Sequence, residues 1–305
     1  MLRALPSSLS TSNGFLHPIR PPLHLNPLPP LLPPLPPQHP RHPPPHHSPL
    51  SPSYHLIYIH GGAFRDPLVS STSLLPSLPS LFSNRHISAI VSLNYRLSPH
   101  PHHPTHPSSA DDKSRNAKWP DHIDDARDGI LWLQKEGGMK GKEWILAGHS
   151  VGGTMALMLG MEPRSGDHGW GNETSMVGLR GVVSIEGIYD FVALRDAHMS
   201  MREMYEAFTT GAFGPEGEGG WRRGDVVRCG RRMEEVVDSV VVGHSREDEL
   251  VEWQQAVDVM EVLRRDGKGA KVLVEVRGKH QEIVTGGEGV GICVGRCVEE
   301  LVRGP

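Results

Sequence analysis

The stretch EWILAGHSVGGTMALMLG, residues 143–160, decides how this chain is read. WILAG is an apolar run of strand length, and GTMALMLG reads as the start of a helix. Between them stands G-H-S-V-G, with Ser150 framed by Gly148 and Gly152. Small residues at those two positions permit a sharp strand-to-helix turn that holds the hydroxyl out above a sheet. The backbone N–H of Val151 then lies in the field of a helix start, where a negative oxygen is stabilised. A glycine-rich turn that merely contains a serine has the same letters. Only a base, an acid and a second oxyanion donor elsewhere in the chain separate the two readings.

Outward from this junction, apolar runs rich in Val and Ile alternate with helical stretches. YHLIYIH (54–60), ISAIVSLNY (87–95), EWILAGH (143–149), LRGVVSIEG (179–187), VDSVVVGH (237–244) and AKVLVEVRG (270–278) read as strands. Their near-continuous apolar character implies a sheet covered on both faces, which is the parallel kind. In PDHIDDARDGILWLQKEG, Ile123, Ala126, Ile130 and Leu133 recur at helical spacing behind acidic residues in the first turn. VEWQQAVDVMEVLRRDG repeats the pattern through Val251, Ala256, Val259, Met260 and Leu263, and Gly267 marks its stop. GVGICVGRCVEELV supplies a last helix. The expectation is one α/β domain over residues 54–305, a mainly parallel central sheet with helices on both faces.

Residues 1–53 are different material, dominated by proline and histidine. Such a stretch lacks backbone donors and periodicity, so an extended, disordered tail is expected. Arg3, Arg20, the early serines and the absence of acids give a second reading, a mitochondrial transit peptide, beside the simpler cytoplasmic one. The proline-broken histidines here and in SPHPHHPTHP (98–107) offer no fixed face for a metal. Charge is nearly balanced, 31 basic against 35 acidic side chains, which argues against a nucleic-acid partner. No apolar run of about 18 residues is present to span a membrane. The three cysteines, Cys229, Cys293 and Cys297, are odd in number and suit a reducing compartment, the last two as buried thiols.

Two downstream segments supply what Ser150 needs. HSREDELV follows one predicted strand and GKHQE another, so Asp248 and His280 fall at carboxyl ends of strands, where α/β sheets gather their reactive groups. The chain order Ser150, Asp248, His280 is that of the triad in α/β hydrolases. Glu247 and Glu249 flank Asp248 as alternative acids, although the spacing of Asp248 to Val251 fits better. His244 and His149 are other strand-end histidines, read as a structural residue and a packing residue. The remaining part is YIHGGAFRDP (58–67), in which His60, Gly61, Gly62 and Ala63 follow the first strand. Glycines there let backbone N–H groups approach a substrate oxygen.

Together these segments resemble the hormone-sensitive-lipase-like branch of α/β hydrolases, and within it the fungal kynurenine formamidases (arylformamidases). The resemblance covers about residues 54–302. YIHGGAFRDP, NYRLSP and LAGHSVGG are shared widely among esterases; HGGAFRDP, GIYDF, HSREDELV and the KH-x-E ending are narrower. It implies Ser150 as nucleophile, Asp248 as acid and His280 as base, with His60–Ala63 and Val151 forming the oxyanion site. It implies hydrolysis of N-formyl-L-kynurenine to formate and L-kynurenine, in tryptophan degradation toward NAD, with no cofactor and no metal. A homodimer is implied as well. Two departures stand out: an aromatic larger than Phe64 is frequent at that position, and the proline-rich head stands where relatives carry an N-terminal strand pair. A general short-acyl carboxylesterase and a non-catalytic binding protein on the same fold are the competing functions. Tyr95, Arg96, Tyr189 and Asp190 lie in motifs near the site, as binders of the substrate's amino-acid end or as builders of the fold.

Overall fold

Along the first strand, side chains alternate between two cores, as a period of two requires. Ile57 and Ile59 join one buried cluster while Tyr54, Leu56 and Tyr58 join the other. The structure is a computed structural model of the chain and describes residues 52–161, 176–218, 220–228, 237–265 and 269–304. The proline-rich segment 1–51 and Cys229 lie outside the described residues.

Six strands are described: β1 (Tyr54–Ile59), β2 (Ile87–Leu93), β3 (Trp144–His149), β4 (Leu179–Ile185), β5 (Ser239–Ser245) and β6 (Ala270–Val276). They form one sheet in the order β2-β1-β3-β4-β5-β6, and every neighbouring pair is parallel. Each expected strand is present. The carboxyl ends of β1, β2, β4 and β6 fall one or two residues short of the sequence reading, while β3 ends where expected and β5 one residue later. The run expected to reach residue 187 stops at Ile185, because Glu186 takes a left-handed backbone with φ 49°.

Helices α2 (Asp121–Lys135), α3 (Val151–Gly160) and α6 (Trp253–Arg265) cover one face with Ile123, Ala126, Ile130, Met155, Leu157, Val259 and Leu263. Helices α1 (Leu78–Phe82), α7 (Glu282–Thr285) and α8 (Glu288–Arg303) cover the other. Helix α3, which starts directly after Ser150, is buried along its whole length. It has no polar face because it runs between the sheet and the helices outside it, as the uniformly apolar sequence TMALML requires. Cys293 and Cys297 are both free and buried on α8, and burial raises each thiol to about 12.

Helices α4 (Phe191–Ala197) and α5 (Arg202–Phe213) were not legible as separate elements in the sequence. Helix α4 is fixed by its cap, since the Asp190 carboxylate accepts the Ala193 N–H at 2.9 Å. The parallel register has one consequence for function. Ile59, Gly148, Ser184 and Val242 are linked across four strands, so the loops after β1, β3, β4 and β5 leave the same edge.

Candidate active site

Ser150 stands at the tip of the β3–α3 turn with φ 55° and ψ −130°, a strained conformation for a residue bearing a Cβ. Its N–H donates to Ile185 O at 2.8 Å, which ties the turn to the neighbouring strand. The flanking glycines are required by close approach. A Cβ on Gly148 would lie 2.2 Å from Gly152 O, and one on Gly152 would lie 2.2 Å from Ile59 O. The sequence pattern is therefore the steric condition for this elbow.

Asp248 and His280 meet as the chain order predicts. His280 Nδ1 lies 2.8 Å from Asp248 Oδ2, and Asp248 Oδ1 accepts the Leu250 and Val251 N–H groups at 2.9 and 2.8 Å. Burial alone would push the Asp248 carboxyl up, but the bond and charge of His280, with those two N–H donors, hold it below the usual range. An ionised Asp248 accepts Nδ1–H and leaves Nε2 as the basic nitrogen. Of the alternative acids, Glu247 points into solvent and Glu249 accepts the His280 backbone N–H at 3.1 Å. Neither takes the place beside Nδ1 that Asp248 holds. The Ser150 hydroxyl and His280 Nε2 share no hydrogen bond among the described residues; such contacts often tighten only around a substrate.

The loop after β1 turns its carbonyls away from this point. Tyr95 donates its hydroxyl to Gly61 O at 2.8 Å and to His60 O at 3.2 Å, and His60 Nδ1–H donates to Gly61 O at 2.9 Å. The His60 ring stacks on Tyr95 at 4.4 Å; burial lowers it to about 4, so it stays neutral. Arg65 and Asp66 N–H groups donate to Gly62 O at 2.9 and 2.8 Å. Gly62, Ala63 and Phe64 all have positive φ, at 93°, 49° and 61°. Among the described residues, the Gly62, Ala63 and Val151 N–H groups have no hydrogen-bond acceptor. A row of unused donors on a left-handed loop and at a helix start suits a developing oxyanion.

Two residues in this cluster were missed or undervalued in the sequence. His149 was expected to pack; it is buried, but its ring lies 4.6 Å from that of His280 and its Nε2 faces His280 O at 3.0 Å and Glu186 Oε2 at 3.2 Å. Glu186 was not singled out at all. It is fully buried at the end of β4, with Oε2 3.4 Å from His280 Nδ1. The signal for it was present: an acid ending the apolar run VVSIEG at the sheet's carboxyl edge. His244 keeps the structural role expected of it, with Nε2–H donating to Val251 O at 2.8 Å.

His149, Glu186 and His280 bring one ligand-type atom each within 4.8 Å of one another. Both imidazole nitrogens in that set face hydrogen-bond acceptors, His149 Nε2 at the His280 carbonyl and His280 Nδ1 at Asp248. Protons occupy the positions a metal would need, so the cluster is a hydrogen-bonded set and does not fit a cation. Tyr95, Arg96, Tyr189 and Asp190 all have partners within the protein. Tyr95 holds the loop, Arg96 binds Asp125, Tyr189 shares a 2.7 Å hydrogen bond with Ser184, and Asp190 caps α4 and pairs with Arg228 at 2.6 Å.

A parallel sheet with a strained serine elbow after its central strand, and with the acid and base loops at the same edge, defines an α/β hydrolase. Comparison with known proteins narrows this. The family model BD-FAE matches residues 44–263, and the chain belongs to that family. It is 30% identical over 268 residues to kynurenine formamidase avaC of Aspergillus versicolor, covering 78% of this chain and 86% of that protein. Kynurenine formamidase-like hydrolase fscH of Fusarium equiseti is 29% identical over 273 residues, 84% of this chain and 86% of its own. Among solved structures, an inhibited esterase B from Lactobacillus rhamnosis superposes with a TM-score of 0.61 at 15% identity, covering 84% of this chain and 80% of that one. A hyperthermophilic esterase from Pyrobaculum calidifontis gives 0.58 at 18% identity, over 83% and 76%. These two share the fold.

Proposed function

We propose that the chain is a serine hydrolase that cleaves N-formyl-L-kynurenine to formate and L-kynurenine. The observation that carries the chemistry is the 2.8 Å bond between His280 Nδ1 and Asp248 beside the Ser150 elbow. The substrate is suggested by the similarity to proteins named kynurenine formamidases along most of the chain. In this reading, His280 Nε2 takes the Ser150 proton as Oγ attacks the formyl carbon. The oxygen that becomes negative is held by N–H groups of Gly62, Ala63 and Val151. His280 then protonates the departing aryl amine, and water activated by the same imidazole releases formate from the formyl-serine. Ser150 is only 6% exposed and His280 2%, a degree of burial that suits the smallest acyl group.

Turnover of N-formyl-L-kynurenine beside 4-nitrophenyl acetate by purified protein tests this. A higher kcat/KM for the formamide is expected. Hydrolysis of the ester with none of the formamide overturns the substrate, and points to a short-acyl esterase instead.

A further inference from the structure

Three acidic side chains converge where the mechanism uses one. Glu186 enters from the end of β4 and Asp248 from the loop after β5, both with buried side chains, and Oε2 and Oδ2 lie 3.4 and 2.8 Å from the same His280 Nδ1. Glu249, on the same loop as Asp248, is exposed and reaches in to accept the His280 N–H. Glu186 is fully buried and its Oε1 meets no hydrogen-bond donor among the described residues, whereas Oε2 faces His149 Nε2 at 3.2 Å and His280 Nδ1 at 3.4 Å. An ionised carboxylate in that position would stand against the Asp248 charge, with the Ser245 backbone N–H as its one favouring donor and no bond within hydrogen-bond distance at Oε1. Two like charges so close and so dry do not both persist. A neutral acid resolves both problems, because it brings the one proton the cluster lacks and gives it to a carboxylate neighbour.

We propose that Glu186 is a positioning residue of this site, a neutral carboxylic acid that donates its proton toward the Asp248 carboxylate and holds Asp248, His149 and His280 in register. This rests on the reading of Asp248 and His280 as acid and base. Burial first, and then the Asp248 charge, raise Glu186 to about 10. The groups around it are His149 from β3, Asp248 and Glu249 from the loop after β5, His280 after β6, Tyr189 before α4 and Cys293 from α8, with His244 of β5 behind Asp248 at 3.5 Å. The two imidazoles nearest it give their protons to His280 O and to Asp248, so Glu186 is not required to carry a charge for them. The geometry also provides a reserve. When Asp248 loses its charge, the pressure that keeps Glu186 neutral falls, and Oε2 becomes the nearest carboxylate oxygen to Nδ1.

The test uses the full chain and the variants Glu186→Gln, Asp248→Asn and the double replacement. Glutamine keeps the shape and the donor, and circular dichroism checks that each variant folds. At pH 8, wild type should show the infrared carbonyl band of a neutral carboxylic acid, lost in Glu186→Gln and titrating out near pH 10. Asp225, raised to about 6, is ionised at that pH and does not contribute. Absence of the band from wild type, or its survival in Glu186→Gln, overturns the proposal. This arm needs no substrate, so it decides even where the formamidase reading fails. The second arm follows modification of Ser150 by a fluorophosphonate. The double variant should react slower than Asp248→Asn by about tenfold or more, since only then does no carboxylate face Nδ1. Equal rates in the two overturn the reserve role.

Discussion

His149 Nε2 lies 3.0 Å from the backbone oxygen of His280, so the residue before the candidate nucleophile holds the loop that carries the candidate base. Burial, and then the neighbouring His280, keep His149 neutral, well below the usual imidazole range. A neutral ring with its proton on Nε2 is the tautomer this bond needs. Replacing His149 with Phe keeps an aromatic ring there and removes the donor. The expected result is a loss of about 1–3 kcal/mol in stability, from a buried carbonyl left unpaired. A fall of roughly tenfold in kcat, larger than any change in KM, should accompany it. Unchanged kcat would show that the bond does not position His280.

Ser150→Ala is the direct probe of the elbow. Without Oγ no acyl-enzyme forms, and hydrolysis should fall by about 1,000-fold or more. Because alanine relieves part of the polar demand but not the φ of 55°, the melting temperature should change little. Near-normal turnover of a purified Ser150→Ala protein removes the mechanism. Labelling of the wild type, but not the variant, by a fluorophosphonate supports it.

The two glycine motifs should respond differently. Gly152→Ala places a Cβ 2.2 Å from a main-chain oxygen of β1, which neither element can yield, so the expected outcome is failure to fold or a loss of several kcal/mol, roughly 3 or more. Gly62→Ala meets Val69 Cβ at 3.0 Å and must adopt φ 93°, a strain of about 1–2 kcal/mol that the surface loop can absorb by moving. Moving it takes away one of the proposed oxyanion donors. Gly62→Ala should therefore fold and lose about 10²-fold in kcat. Thermal melts and kinetics on the pair distinguish the two roles.

The contrast between these motifs explains what was legible. The strand pattern, the elbow and the order Ser150, Asp248, His280 were readable because each depends on local rules: apolar runs, small residues at a sharp turn, and reactive groups at strand ends. Asp248 over Glu247 and Glu249 was readable from its spacing to Val251, whose N–H it accepts. Glu186 was not, because its importance arises only when four strand ends converge and bring it to His280. Arg96 and Asp190 stood in the right motifs, yet their partners Asp125 and Arg228 are 29 and 38 residues away, and no local pattern names them. Helices α4 and α5 were hidden for a similar reason. The start of α4 depends on Asp190, which is an N-cap only once the chain before it has bent at the end of β4, and α5 starts after Met201 with no side-chain cap to mark it.

Arg96 joins the loop after β2 to helix α2 with a two-pronged contact: Nε and Nη2 donate to the two Asp125 oxygens, each at 2.8 Å. The Arg96 backbone N–H adds a third bond to Asp125 at 2.9 Å. Asp125 is buried, so removing a prong leaves a carboxylate oxygen short of donors. Lysine carries the charge but not the fork. Arg96→Lys should cost about 1–3 kcal/mol, or roughly 3–8 °C in melting temperature, with kcat affected less than stability. A melting temperature equal to wild type would mean that the fork is not what anchors this loop.

Asp225 gives the fold a pH dependence of its own. It is buried, its Oδ1 accepts the Phe191 N–H at 3.0 Å, and Oδ2 has no hydrogen-bond partner among the described residues. Burial raises its carboxyl to about 6; the Asp190 charge adds to this, against the Phe191 N–H, Arg228 and Arg222. A carboxyl raised in the folded state binds its proton more tightly there than in the unfolded chain, where it titrates near 4. Between roughly pH 4 and 6 the unfolded state therefore binds fewer protons, and stability falls as pH rises. The deficit above pH 6 is on the order of 2–3 kcal/mol. Asp225→Asn keeps the acceptor for Phe191 and has no charge to bury, so its stability relative to wild type should rise across that window and level off above it. Chemical denaturation of both proteins at pH 4.5, 6 and 7.5 checks the sign, and a difference that shrinks with rising pH would show that Asp225 is stabilised as a carboxylate.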